Sequence, residues 1–313
     1  MAFGSQTLHV RGRLPSERRD QGTFVVAKDL LLDFVASILL FTAVMYGIQE
    51  AFRRVPAWVS LVTFSILPIV LTPYWLVMHQ DVGVFPWLKL YTMVVSVSWL
   101  TALRGTKLGK HRRGAMGLIG LLVLNIVEAL TLDATGGHLS HWLVMLAGAL
   151  MLITLPSVKG ASCRATNGSS GEFLYPGMTR RWVIEYTVWN WTFLFLNFPI
   201  IAGQHAAVLG AALIVGMMEP QRWLQARGHT LAASLLLMAT FPNFMVHGFD
   251  TTLWHTPQRE AVASLLCVVV VVAIASTVRW PIGRRTSFGP AMLTDQEELT
   301  SKNKAIGTYS SSR

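Results

Sequence analysis

An all-α polytopic membrane bundle of about nine helices is the fold class this sequence predicts, and three observations predict it. Of 313 residues, 52% are hydrophobic and only 13% are charged. The apolar residues come in runs near the ~20 needed to cross ~30 Å of hydrocarbon. The basic residues collect in alternate connections between those runs.

Residues 1–28 are polar and basic without the apolar core of a secretory signal, so they read as a tail and the first span is expected to direct insertion itself. A single transmembrane domain is expected over 29–282, with spans at 30–52, 58–78, 86–103, 115–132, 141–155, 182–201, 206–224, 230–246 and 261–279. The first ends on Arg53 and Arg54. The second carries Pro68 and Pro73, the eighth Pro242, and all three interrupt helices. The third ends at Arg104, and the fourth starts after Arg112 and Arg113. The fifth is short. Between the fifth and sixth, 156–181 is rich in Gly, Ser and Thr and reads as a flexible connector, in preference to a lid. From 283 to 313 the chain is polar and reads as a disordered tail.

The formal charge of +10 would suit nucleic acid, but its distribution argues against it. Arg53 and Arg54, then Lys107 to Arg113 with Arg104, then Lys159, Arg164, Arg180 and Arg181, then Arg222 and Arg227 follow the odd-numbered spans. The intervening loops 79–85, 133–140 and 202–205 hold no Lys or Arg. Odd loops and the C-terminus are therefore expected in the cytoplasm, and the N-terminus outside or lumenal, against the preference of its own arginines. Cys163 and Cys267 fall in a loop and a span, so no disulfide is expected. The sequon Asn167-Gly168-Ser169 would face the cytoplasm and stay unmodified.

Polar residues inside these spans form two layers. Asp33, His79, Lys89, Asn125, Glu128, Asn197 and Asn243 lie toward the outer side; Glu50, Glu185 and Glu219 lie toward the cytoplasm. Glu50 precedes Arg53 by three residues and Glu219 precedes Arg222 by three, which reads as structural ion pairing. Span six, WVIEYTVWNWTFLFLNF, mixes Glu185, Asn190 and Asn197 with a dense aromatic set. Tyr186, Asn190, Phe193 and Asn197 share one stripe at i, i+4, i+7 and i+11, the wall of a cavity for an apolar ligand with a polar end; packing between helices explains the same residues. Glu185 either pairs with Arg181 or sits among Trp182 and Trp189. In span four Asn125 and Glu128 share a face, with Asp133 at its end; Lys89 is placed to neutralise Glu128 or Asp33, and a bundle-stabilising salt bridge is the plain alternative. The functional alternative is a carboxylic acid kept neutral by desolvation.

No acidic cluster holds Mg²⁺ and a diphosphate, no glycine-rich nucleotide loop follows a strand, and His138 and His141 have no evident further ligand. No metal and no cofactor are expected.

The blocks LNIVEALTLD (124–133) and IEYTVWNWTFLFLNFP (184–199) resemble a family of small integral membrane proteins that includes bacterial members and the membrane-bound terpene cyclases of fungal meroterpenoid pathways, of the ascofuranone and macrophorin type. The resemblance implies acid-initiated cyclisation of a farnesyl chain on an aromatic or quinone-derived head group, by protonation of an alkene or epoxide, an isomerase or lyase type of secondary metabolism. Under it Glu128 is the first candidate acid, with Asp33 and Glu185 next. Asn125, Asn190 and Asn197 orient polar groups, and Tyr186, Phe193 and Trp189 offer ring faces to cationic centres. It also implies a prenylated apolar substrate, the lipid bilayer as surroundings, an upstream prenyltransferase and epoxidase as pathway partners, and the endoplasmic reticulum if the source is eukaryotic. A small-solute or lipid transporter is the alternative, favoured by the polar layers and proline breaks. A non-catalytic scaffold or receptor comes third.

Overall fold

The computed structural model describes residues 19–164, 171–243 and 248–277. Among these the chain is mostly helical, with nine long helices and one small hairpin. They are α1 (Arg19–Arg54), α2 (Ala57–Met78), α3 (Val84–Gly105), α4 (Arg112–Thr135), α5 (Leu139–Ile153), α6 (Arg180–Asn197), α7 (Pro199–Met218), α8 (Trp223–Thr240) and α9 (Pro257–Ala275). The strands are β1 (Ser162–Arg164) and β2 (Glu172–Leu174).

Five helices, α1 from Leu31, α2, α4, α7 and α9, are long and apolar enough to cross a membrane. That is fewer than the nine expected, for a physical reason. Helix α5 has 15 residues, and α3, α6 and α8 carry polar side chains that lower their hydropathy. Those side chains are largely buried against other helices: Glu185, Tyr186 and Asn190 of α6, and Gln225, Arg227, His229 and Thr230 of α8. Conversely α1, α2 and α9 leave Leu39, Leu40, Ile69, Val70, Leu265 and Leu266 uncovered, a contiguous kind of apolar exposure that water does not favour.

Helix α6 is an inner element, packed against α5, α7 and α9 and touching α4. Helix α7 lies between α6, α1 and α8; α8 in turn meets α1 and α3, and α3 meets α2 and α4. Close packing has sequence causes. A side chain on Gly148 would meet Leu130 and the Trp189 indole at 2.5 and 2.6 Å, so glycine lets α5 approach α6.

Prolines shift the later boundaries. Helix α6 stops at Asn197, Phe198 alone makes the turn, and Pro199 opens α7, seven residues before the expected start at 206. Residues 202–205, expected as a loop, are therefore inside α7. The shift carries forward, so Arg227, expected in a cytoplasmic connection, is the fifth residue of α8. Pro242 follows the end of α8 and does not interrupt it. In α2 the helix widens to a π turn over Val62–Ile66 just before Pro68 and then continues through Pro73.

Two expectations at the ends of connections are corrected. Helix α1 begins at Arg19, so residues 19–28 are helical and not part of a tail. The connector after α5 is built, not flexible, where described. Strands β1 and β2 pair antiparallel, Glu172 to Tyr175 are buried, and Phe173 and Tyr175 donate backbone bonds to Gln225 Oε1 (2.7 Å) and Gln221 O (2.8 Å). Gly171 and Arg104 bond reciprocally, each at 3.0 Å, and the Arg104 guanidinium also donates to Ser60 Oγ and to the carbonyls of Arg53 and Val55. The sequon at Asn167 and the terminal tails over 1–18 and 283–313 lie outside the described residues.

Candidate functional site

Five helices bring polar side chains to one place. From α3, Lys89 Nζ donates to Asn125 Oδ1 (2.5 Å) and O (3.2 Å) and to Glu128 Oε2 (3.1 Å), while Thr92 donates to Glu128 Oε1 (2.6 Å). From α4, Asn125 Nδ2 donates to the Tyr186 hydroxyl of α6 at 3.4 Å. The same hydroxyl accepts from Arg227 Nε of α8 at 3.4 Å, and the guanidinium lies 5.7 Å from the Tyr186 ring centroid. From α7, His205 Nε2 sits 2.9 Å from Asn190 Oδ1 and 3.1 Å from Arg227 NH2. One ring nitrogen serves only one of these contacts: protonated it donates to Asn190, unprotonated it accepts from Arg227.

Two cavities flank Arg227. The smaller, about 40 Å³, lies between α3, α4 and α8 and is lined by Met93, Leu118, Asn125, Tyr186 and Arg227 among others. The larger, about 100 Å³, is walled by Phe85, Phe193, Phe198 and Met238, with Lys89, Asn190, His205 and Arg227 as its polar side. It is partly open, and its walls include the end of the bundle where α3 and α7 begin and α6 and α8 finish. Apolar walls with a few convergent polar groups are the usual make-up of a small-molecule site.

The site residues expected from sequence divide by position. Asn125 and Glu128 are in the cluster, and Tyr186, Asn190 and Phe193 line the two cavities. Glu128, 8% exposed, sits behind Lys89 and not on a cavity wall. Asn197 leaves the stripe: its amide donates to Asp133 Oδ1 (2.8 Å), which also meets His141 Nδ1 (2.9 Å). His141 is thereby engaged with a carboxylate and its ring centroid stands 6.4 Å from that of His138. Trp189 faces α5, donating to Val144 O at 3.0 Å. Glu185, fully buried, also faces α5, where Thr154 donates to it at 3.4 Å; its second oxygen has no hydrogen-bond partner among the described residues, and it is not bonded to Arg181. Asp33 is exposed on α1 beside a separate surface cavity with Asp250 and Trp254. Among the described residues no group of His, Cys, Asp and Glu has the arrangement of a metal site.

Sequence reasoning missed His205 and Arg227, and gave Lys89 only the part of a counter-ion. The available signal was Gln204-His205 just after Pro199: read as a helix starting at the proline, the segment places both inside an apolar helix.

Fold and site together define a helical bundle with membrane-length apolar helices and a charged, hydrogen-bonded cluster opening on an aromatic cavity. Residues 28–296 match the family described as "Family of unknown function (DUF5692)", and the chain belongs to that family. No curated protein and no solved structure matches the chain.

Proposed function

We propose that the protein is a membrane-embedded cyclase acting on a prenyl chain carried by an aromatic or quinone-derived head group. The observation that carries the reading is the larger cavity, in which Phe85, Phe193 and Phe198 face a proton-bearing polar side formed by Lys89, Asn190, His205 and Arg227. Ring faces stabilise a cationic centre at roughly 1–2 kcal/mol each when desolvated. All nine helices cross the bilayer in this reading, the polar ones shielded by their neighbours, with the β1–β2 end in the cytoplasm; a eukaryotic source would place it in the endoplasmic reticulum.

The initiating proton comes from the Lys89–Glu128 pair. Lys89 reaches the cavity and Glu128 backs it, so the pair delivers its proton through Nζ. An ammonium is a far weaker acid than a carboxylic acid, which suits a strained, basic epoxide oxygen better than an alkene. The substrate class is therefore the terminal epoxide of a farnesyl chain, supplied by a prenyltransferase and an epoxidase. In atom terms, Nζ–H passes its proton to the epoxide oxygen as the C–O bond breaks, alkene π electrons close the ring, and loss of a carbon-bound proton to a base ends the sequence. The chain itself exceeds the roughly 100 Å³ that is enclosed, so α3 and α8 part to admit it.

The test is turnover. Membranes carrying the protein are given a farnesylated phenol with a terminal epoxide, and cyclic isomers are read by mass spectrometry and NMR. Glu128→Gln and Lys89→Gln should abolish product while the protein still accumulates in the membrane fraction. Undiminished turnover by both removes the pair from the acid role, and no product from wild type sinks the reading.

One observation favours transport instead: the hydrogen-bonded chain from Thr92 through Glu128, Lys89, Asn125 and Tyr186 to Arg227 crosses four helices without interruption. A transporter would move solute into sealed vesicles, and vectorial uptake abolished by Glu128→Gln would replace the cyclase reading.

A further inference from the structure

The charges of the cluster do not balance. Lys89 is matched by Glu128 at 3.1 Å. Arg227, 4% exposed, makes no ion pair among the described residues; its partners are the Tyr186 hydroxyl, Asn190 Oδ1 and His205, all neutral acceptors at 3.1–3.4 Å. Its NH1 has no hydrogen-bond partner among the described residues. A buried guanidinium without a counter-charge is costly, and breaking a buried pair by removing its partner is among the most destabilising changes known in cores. Both cavities have Arg227 in their walls, and neither has a carboxylate in its lining. The larger presents two cations, Lys89 and Arg227, beside apolar walls of Phe85, Phe193, Phe198 and Met238.

We infer that the cavity binds an amphiphile with an acidic head group, a carboxylate or a phenolate, whose oxygen docks on Arg227 while its hydrocarbon tail folds along Phe85, Phe193, Phe198 and Met238 and brings its far end back to Lys89. The anion supplies the charge that the protein lacks, and a planar guanidinium with its NH1 unpartnered among the described residues is suited to a carboxylate or phenolate oxygen. The enclosed volume of about 100 Å³ accommodates a head group, and the tail occupies the open part of the cavity. The inference names the polar end of the substrate proposed above, and it rests on that reading for the prenyl nature of the tail.

The test uses the full chain in lipid nanodiscs with farnesoic acid, methyl farnesoate and oleic acid as competitors against a radiolabelled farnesoate. Farnesoate should bind roughly tenfold or more tightly than its methyl ester, the scale of a hydrogen bond to a charged group. The preference should vanish in Arg227→Gln and persist in part in Arg227→Lys. Equal competition by oleate also supports the site and assigns it to acidic lipids in general; weaker competition assigns it to prenyl acids. Equal binding of acid and ester to wild type, or no binding of either, overturns the inference, and this comparison stands even if Arg227→Gln fails to fold. Cyclisation of a neutral prenyl epoxide without any acid preference overturns it while leaving the cyclase reading intact; acid binding without turnover does the reverse.

Discussion

At the end of the bundle where α1 and α7 finish, Glu50, Glu172 and Glu219 meet Arg53, Arg54 and Arg222. In the interior, Lys89, Glu128 and Arg227 meet across α3, α4 and α8. The ion-paired groups of the first region match, three carboxylates against three guanidiniums, with Arg53–Glu50 at 2.7 Å, Arg222–Glu219 at 2.6 Å and Glu172 reaching both arginines at 3.5 and 2.9 Å, and the buried Arg104 beside them donates to Ser60 and to backbone carbonyls. This region is half open to water and ties β2 to α1 and to the turn before α8. The second has two cations for one carboxylate and is shut away from water except through its cavity. A balanced, wet lattice holds a connector in place; an unbalanced, dry cluster is completed by something else. Burial alone does not separate scaffold from site: Arg104 and Arg227 are both 4% exposed, but Arg104 donates to Ser60 and three backbone carbonyls, whereas Arg227 leaves NH1 without a partner among the described residues.

The largest expected effect on that contrast is catalytic. Glu128→Gln should lower cyclic product by about 10²-fold or more per molecule of folded protein, because Nζ loses the carboxylate that backs its proton; a change under threefold would move Glu128 to the scaffold side. Next, Lys89→Met strands the Glu128 carboxylate and should cost about 3–5 kcal/mol, read as a lowered thermal midpoint in detergent. Adding Glu128→Leu should recover most of that loss, and a double variant no better than the single would show that the pair is not what the interior depends on. In the ion-paired region Arg222→Ala should cost only about 1–2 kcal/mol, because water screens its pair with the 44% exposed Glu219 and the buried Glu172 keeps Arg53 at 3.5 Å. A loss as large as that of Lys89→Met would erase the distinction.

The smallest effect concerns β1. Burial pushes the Cys163 thiol up to about 12, with the Arg104 guanidinium opposing the rise. The thiol is therefore neutral at pH 7–9, and maleimide labelling of the folded protein should be slow, accelerating on denaturation. Because the folded value lies above the unfolded one, this contribution to stability is full below about pH 8.5 and is lost as pH rises toward 12. Fast labelling of folded protein at pH 7 would mean that β1 is not seated against Arg104.

How much of this was legible follows from whether a signal lies on one helix. The Glu50–Arg53 and Glu219–Arg222 pairs are three residues apart, and both form. The face shared by Tyr186, Asn190 and Phe193 also comes from one helix's periodicity, and it does border the cavities. The fourth stripe member, Asn197, is at the last turn of α6, where Asp133 captures it, so periodicity alone overran the helix. Glu185 and Trp189 point to α5 because they lie on another face of the same helix. Arg227 was out of reach for a different reason. Hydropathy placed the start of α7 seven residues late, and a turn of a single residue, Phe198, leaves no polar gap for a window to detect. With that boundary fixed from Pro199, a cation and a histidine move from loops into the interior.

The Arg104 clasp has a consequence for traffic. By binding Gly171, just before β2, and the carbonyls of Arg53 and Val55 at once, it ties the connector to the end of the bundle where α1 finishes, and the larger cavity has Phe85, Phe198 and Met238 from the other end in its walls. Under the proposed function the interior is then a cul-de-sac, and a molecule entering from the lipid is reshaped in place and leaves by the way it came.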